Sequence, residues 1–208
     1  MENKKLYFEE LNKELNKENL ELILICAGGF TLEINGIRGT VDVDAFFDSK
    51  QKIEEIIYKV GEKYNLNMEG ELWLNNSIAN LNKWPPKEVI EGVYEFSNLV
   101  VDSVELEYLL GMKHESMRER DLLDIVEIIK KLNVEDPIPL YKYLKKHNFS
   151  IEKDDLVSYF AIAKGEEWYR EYRDKSRYHK PKYNVLNNIK ETEKPQQPKN
   201  INKNIKRY

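Results

Sequence analysis

The sequence predicts an α/β chain of the α+β kind: a short mixed sheet flanked by helices, then C-terminal helices and a disordered basic tail. Three observations carry that expectation. Leu22-Ile-Leu-Ile-Cys-Ala27 is an unbroken apolar run closed by Gly28-Gly29, which suits a short buried strand. Gly39 to Phe47 alternates, with Thr40, Asp42 and Asp44 on one side and Val41, Val43 and Ala45 on the other, the period of a half-buried strand. From Ser103 to Arg173 apolar residues return every three or four positions, as they do on helices that bury one stripe.

Bulk properties narrow the class. The 208 residues fit one ordinary domain with a helical extension. A hydrophobic fraction of 41% against 34% charged residues reads as soluble and globular. No window is apolar for the length a membrane span needs, and MENKKLYFEELNKELNKENLEL is too polar for a signal peptide. Cys26 is the single cysteine, so no internal disulfide can form, and a cytoplasmic setting is expected. Inside its apolar run Cys26 reads as a small buried hydrophobe rather than a nucleophile. The net charge of −4 hides an asymmetry. Asp174 to Tyr208 holds ten Lys/Arg against three Asp/Glu, a net +7, which leaves −11 for the rest.

The elements follow in order. Lys4 to Lys17 predicts a helix, with Leu11 and Leu15 one turn apart. Leu22 to Ala27 is the first strand, broken by the two glycines, and Phe30 to Ile37 is a short connection of one or two helical turns. Gly39 to Phe47 is the second strand. Asp48-Ser-Lys-Gln51 has the form of a helix-start box, and Ile53, Ile56, Ile57 and Val60 form the buried stripe that follows. Leu72-Trp-Leu74 reads as a short strand, Asn75 to Pro86 as loop, and Val93 to Val101 as a strand interrupted at Ser97-Asn98. A helix is expected from about Ser103 to Lys113, a second behind a Ser116-Met-Arg-Glu119 box, and two more near Ile138 to His147 and Lys153 to Arg173. Beyond Arg173 the periodicity fails amid prolines, lysines and asparagines.

One constellation carries chemistry. Acids two apart on a strand share a face, where like charges cost stability unless a cation or strong donors offset them. Asp42 and Asp44 therefore suit Mg²⁺, which prefers one or two carboxylates together with phosphate oxygens. A diglycine turn nearby lets backbone approach a triphosphate and donate its N–H groups. The competing readings are a plain turn and a plain half-wet strand.

The run Ile23-Leu-Ile-Cys-Ala-Gly-Gly-Phe30 through Ile37-Arg-Gly-Thr-Val-Asp-Val-Asp44 resembles the core of the nucleotidyltransferase superfamily. It is most similar to the small bacterial branch of abortive-infection and toxin–antitoxin nucleotidyltransferases and to a related nucleotidyltransferase family of unknown function. Arg38-Gly39-Thr40 matches that branch's turn, and Lys113, Arg118, Arg120-Asp121 and Asp124 match its downstream block. The resemblance spans about residues 20 to 132. It implies a nucleotidyltransferase-like core over 1–132, with a helical segment over 133–173 and a tail over 174–208. It also implies that Gly28, Gly29, Thr40 and Lys113 bind the nucleotide, and that Asp42 and Asp44 hold Mg²⁺ and act in catalysis. Lys113 has a simpler reading as a solvated lysine at a helix end, and Arg118, Arg120, Asp121 and Asp124 one as a structural ion-pair set. The third carboxylate common in the superfamily has Asp102 as its positional candidate and Glu71 as a weaker one. Asp102-Ser-Val-Glu105 also reads as a helix start.

The expected function is Mg²⁺-dependent transfer of a nucleoside monophosphate from a nucleoside triphosphate to a hydroxyl of RNA (tRNA included) or of a partner protein, in a toxin–antitoxin or phage-defence setting. Two alternatives stand beside it: a catalytically decayed nucleotide- or partner-binding module of antitoxin type, and a nucleic-acid-binding protein acting through its basic tail. His114, His147 and His179 lack zinc spacing, and no P-loop or dinucleotide fingerprint is present. Trp168-Tyr-Arg-Glu-Tyr-Arg173 interleaves aromatics with cations, a pattern that can stack bases but more simply packs a helix.

Overall fold

The structure is a computed structural model and describes residues 2–176 apart from Glu69 and Asn82. Helix α1 (Glu2–Lys17) leads into β1 (Leu22–Cys26), α2 (Gly28–Ile34) and β2 (Val43–Phe46). Then come α3 (Gln51–Tyr64), β3 (Leu74–Asn75), α4 (Ser77–Leu81), β4 (Ile90–Glu95) and β5 (Leu99–Val104). Five helices complete the described chain: α5 (Leu106–Ser116), α6 (Asp121–Leu132), α7 (Pro137–Lys146), α8 (Lys153–Lys164) and α9 (Glu166–Ser176).

The sheet is mixed, in the order β3-β2-β1-β5-β4, which is the α+β arrangement expected from the sequence. β1 runs parallel to β5 and antiparallel to β2, while β2 and β3 are parallel. Central β1 has a strand on each side, and its Leu22, Leu24 and Cys26 enter one core while Ile25 enters the other, which is why its sequence is apolar. The sheet separates two cores. Phe8, Leu11, Leu15, Leu24, Val43, Ile57 and Trp73 join α1 and α3 to one face. Ile25, Phe46, Leu110, Ile125, Ile129, Leu140, Leu156 and Phe160 join α5 to α8 to the other. The later helices thus share a continuous core with the sheet.

Several local expectations are corrected. The glycines do not merely break β1; α2 starts at Gly28 itself. The interrupted strand at Ser97-Asn98 is a hairpin, with β4 antiparallel to β5. The Asp48 box does not form: Lys50 precedes α3, and Ser49 hydrogen-bonds Glu54. Ser116 does not cap a helix either, because its hydroxyl donates to Asp121 and α6 starts at Asp121 instead. The long last helix is cut at Gly165, whose φ of 90° lies outside the range helices use. The expected loop Asn75 to Pro86 contains β3's end and α4. No helix among the described residues is long and apolar enough to cross a membrane. The basic tail lies, from residue 177 onward, outside the described residues.

Candidate functional site

The site begins where β1 ends. Ala27 N–H donates to the Asp44 carbonyl at 2.9 Å, which draws the start of α2 across the strand carrying the acids. Gly28 follows with φ +59°, a left-handed conformation that glycine adopts without strain. A Cβ on Gly28 would stand 2.7 Å from Asp44 Oδ2, and one on Gly29 would stand 2.6 Å from Thr40 Oγ1. Each glycine is therefore dictated by close approach to a predicted site residue, not by a turn alone.

The Arg38-Gly39-Thr40 connection is tied down from two sides. Glu33 accepts a hydrogen bond from Thr40 N–H at 3.0 Å, and Lys4 bridges Glu33 and the Thr40 carbonyl. Thr40 Oγ1 in turn donates to Asp42 Oδ1 at 2.6 Å. Asp42 is exposed just before β2, and Asp44 is half-buried within it. Burial first, and then the charge of Asp42, raise the Asp44 carboxyl above its ordinary range; a hydrogen bond from Asn75 and the charges of Arg118 and Lys113 act against this. Asn75 lies directly beside Asp44 in the β2–β3 register.

Both acids open into a cleft of about 390 Å³, a volume in the range of small-molecule sites. Its walls carry Ser49, Glu54, Glu71, Asn75, Ser77 and Arg118. A narrower hollow of about 100 Å³ adjoins it through the shared residues Asp44, Ser77 and Arg118, and is also lined by Gly28, Lys113 and Asp121. A larger hollow of about 560 Å³ lies on α7 to α9 beside Trp168, away from the acids. There Trp168 stacks on Tyr172 and touches Phe160, so this aromatic stretch packs its own helix.

Lys113 is not a solvated helix-end lysine. It is 8% exposed and bridges Asp121 at 2.8 Å and Asp124 at 2.6 Å. Arg38 reaches Asp124 from the opposite side through Nε and Nη2, at 2.7 and 2.9 Å. Ser116 and the Arg118 N–H both donate to Asp121. Burial works against the charge of Asp121, but the hydrogen bonds from Lys113, Ser116 and Arg118 outweigh it and hold the carboxyl below its usual range. Asp124 is lowered in the same way by Arg38 and Lys113. The network is two cations between two anions, and it walls the narrow hollow beside Gly28 and Asp44.

Of the predicted site residues, Asp42 and Asp44 line the cleft, Gly28 and Lys113 line the adjoining hollow beside Asp44, and Thr40 meets Asp42 through its hydroxyl, with Gly29 next to Thr40. The structure does not bring Asp102 to them. Asp102 sits within β5, opposite Ile25 and Gly92, and Glu105, not Asp102, stands at the start of α5. β1 intervenes, and two strand spacings plus a two-residue offset put the Asp44 and Asp102 backbones roughly 12 Å apart. Glu71, by contrast, lines the acids' own cleft. Asn75 and Ser77 escaped the sequence reading, because a two-residue strand inside an asparagine-rich stretch gives no periodic signal. Among the described residues no group of three or more His, Cys, Asp or Glu side chains is arranged to hold a metal, so a cation here would rest on two carboxylates.

With that geometry in place, comparison with known proteins is informative on one point. The sequence model of a family described as a nucleotidyltransferase of unknown function (DUF6036) matches residues 5–176. No curated protein and no solved structure matches the chain.

Proposed function

The chain belongs to this nucleotidyltransferase family, and from that premise we propose that it transfers a nucleoside monophosphate from a nucleoside triphosphate to a hydroxyl group, with Mg²⁺ at Asp42 and Asp44. The single observation that supports the reading is the closeness of Gly28 to the Asp44 carboxylate: a Cβ on Gly28 would stand 2.7 Å from Asp44 Oδ2. Backbone N–H groups beside the acids would suit a phosphate.

The donor set fits a hard divalent cation: two carboxylates two residues apart at the start of β2, both lining the cleft. Bound there, Mg²⁺ would neutralise phosphate oxygens and the departing pyrophosphate. The protein's own contribution is placement. Thr40 orients Asp42, and the Lys4–Glu33 pair fixes Thr40. Arg118, on the wall shared by both hollows, offers charge to the phosphates. Lys113 keeps the α5–α6 corner in position behind Gly28 and adds positive potential. The acceptor oxygen bonds to the α-phosphorus as the bond to pyrophosphate breaks, and Glu71 in the cleft wall takes the acceptor's proton. The acceptor in this reading is a hydroxyl of RNA or of a partner protein, and the setting that the resemblance suggests is a bacterial toxin–antitoxin or defence system.

The test is incubation of the protein with each α-labelled nucleoside triphosphate, Mg²⁺ and cellular RNA or protein. Label appears on one acceptor class with the wild type and is lost with the Asp42→Ala/Asp44→Ala double variant. Equal labelling by the two proteins would refute the reading.

A further inference from the structure

Asp44 has a cross-strand neighbour whose orientation is fixed. Asn75 pairs with Asp44 in the parallel β2–β3 register, so both side chains leave the same face of the sheet. An asparagine amide has one acceptor end and one donor end. The acceptor end of Asn75 is occupied: Oδ1 receives the Ser77 N–H at 3.2 Å and the Ser77 hydroxyl at 2.5 Å. With the oxygen held by two donors, the NH₂ end is the part of the amide left to face Asp44 beside it. Ser77 lines both hollows, Asn75 lines the wider one, and neither belongs to the two sequence blocks that carry the family resemblance.

We infer that Asn75 is a positioning residue, which Ser77 locks in one amide orientation so that its NH₂ group holds the Asp44 carboxylate toward Asp42 and the cleft. The donor takes up one lone pair of Asp44 and leaves the others for a ligand. The same neighbour in carboxylate form would set a third negative charge against the acids. An amide here supplies direction without charge, and Ser77 keeps it from flipping. Side chains that hydrogen-bond a metal-binding carboxylate in this way set its orientation, and their loss typically lowers metal affinity roughly 10–100-fold.

The inference rests on the cation-binding reading of Asp42 and Asp44, and the test separates the two. Mn²⁺ binding to the protein alone, without nucleotide, is followed by electron paramagnetic resonance for wild type, Asn75→Ala, Ser77→Ala and Asn75→Asp, each checked for a wild-type circular dichroism spectrum. Asn75→Ala is expected to bind Mn²⁺ roughly 10-fold or more weakly. Ser77→Ala, which keeps Asn75 and the strand pairing, is expected to weaken binding in the same direction by a smaller factor. Asn75→Asp restores binding to wild-type strength or beyond, because it substitutes a ligand for an orienting donor. In transfer assays the loss in Asn75→Ala is expected in the Mg²⁺ concentration needed for half-maximal rate more than in the rate at saturation. Wild-type Mn²⁺ affinity in both Asn75→Ala and Ser77→Ala would overturn the inference and leave the transfer reading standing. A wild-type protein that binds no Mn²⁺ would overturn both.

Discussion

Arg38 and Asp124, 86 residues apart, are joined by two nearly parallel N–H···O contacts of 2.7 and 2.9 Å. A planar guanidinium matched to a carboxylate in this way gives direction as well as attraction. The pair fastens the connection before β2, which carries Thr40 and leads into Asp42, to the first turn of α6. Asp124 then hands the constraint to Lys113, which stands behind Gly28. Two segments that the sequence shows as separate blocks are thereby one mechanical unit.

Removing Arg38 leaves a buried Asp124 short of two donors. Arg38→Ala is expected to lower stability by about 1–3 kcal/mol, the usual consequence of an unsatisfied buried group. Lys113→Met should be worse, about 3–5 kcal/mol, since it leaves Asp121 and Asp124 facing each other without their shared cation. Equilibrium unfolding in urea measures both, and a loss for Lys113→Met no greater than for an exposed lysine such as Lys13 would show the network to be ornamental.

The carboxylates of this network give the protein a defined acid limit. Asp121 and Asp124 are held below their ordinary value of 3.8 in the folded chain. Groups of that kind contribute stability above the unfolded-state pKa, and that contribution is lost as pH falls through the folded-state pKa. The wild type should therefore lose stability as the pH drops below about 4. An Asp121→Asn/Asp124→Asn variant, though less stable at neutral pH, should show a shallower dependence there. Thermal midpoints collected from pH 3 to pH 7 decide it: parallel curves would remove these two residues from the account.

Asp44 has the opposite sign. Its carboxyl is raised by burial and by Asp42, so its contribution is favourable below the unfolded-state pKa and is lost as pH rises through the folded one. At neutral pH the ionised form is a cost. Asp44→Asn is accordingly expected to stabilise the ligand-free protein by about 0.5–2 kcal/mol, the range of single stabilising substitutions, while abolishing transfer. A melt of the two proteins in buffer with chelator tests this, and a less stable Asp44→Asn protein would contradict it.

Gly111 offers a prediction about packing. It lies in α5, and a Cβ there would come within 2.4 Å of the Phe149 ring. Gly111→Ala should cost about 1–3 kcal/mol through overpacking, despite alanine's better helix propensity. Gly111→Ala combined with Phe149→Leu should recover part of that loss if the ring is the obstacle. Denaturant midpoints for the single and double variants are the measurement.

Much of the arrangement was legible in the residues. The apolar run Leu22 to Cys26, closed by two glycines, favoured a buried strand over a helix, which the structure bears out except at exposed Ile23, and the alternation through Asp44 set its acids apart from its apolar residues. The glycines were legible as a site only in company with Asp42 and Asp44; the structure adds that each touches a specific partner, Gly28 with Asp44 and Gly29 with Thr40. Between the nucleotide-facing and solvated readings of Lys113 the residues could not choose, and its ion pairs with Asp121 and Asp124 were hidden because helical spacing within one element says nothing about the neighbour across a corner. Asp102 was the positional candidate for the third carboxylate that the resemblance implies; it lies on β5, not at a helix start, with β1 between it and β2. Asn75 and Ser77 were hidden because β3 is two residues long and its pairing with β2 is nonlocal. The helix start at Ser116 failed for a related reason: its hydroxyl has a nonlocal acceptor in Asp121.

The most direct measurement is a calorimetric titration of a non-hydrolysable nucleoside triphosphate into the wild type and into Asp44→Asn, each with Mg²⁺ and again with chelator. Mg²⁺-dependent binding is predicted for the wild type and at least a tenfold weaker affinity, about 1.4 kcal/mol, for Asp44→Asn. Equal affinity in all four titrations would show that the acids and the diglycine do not form one site, and would contradict the account at its centre.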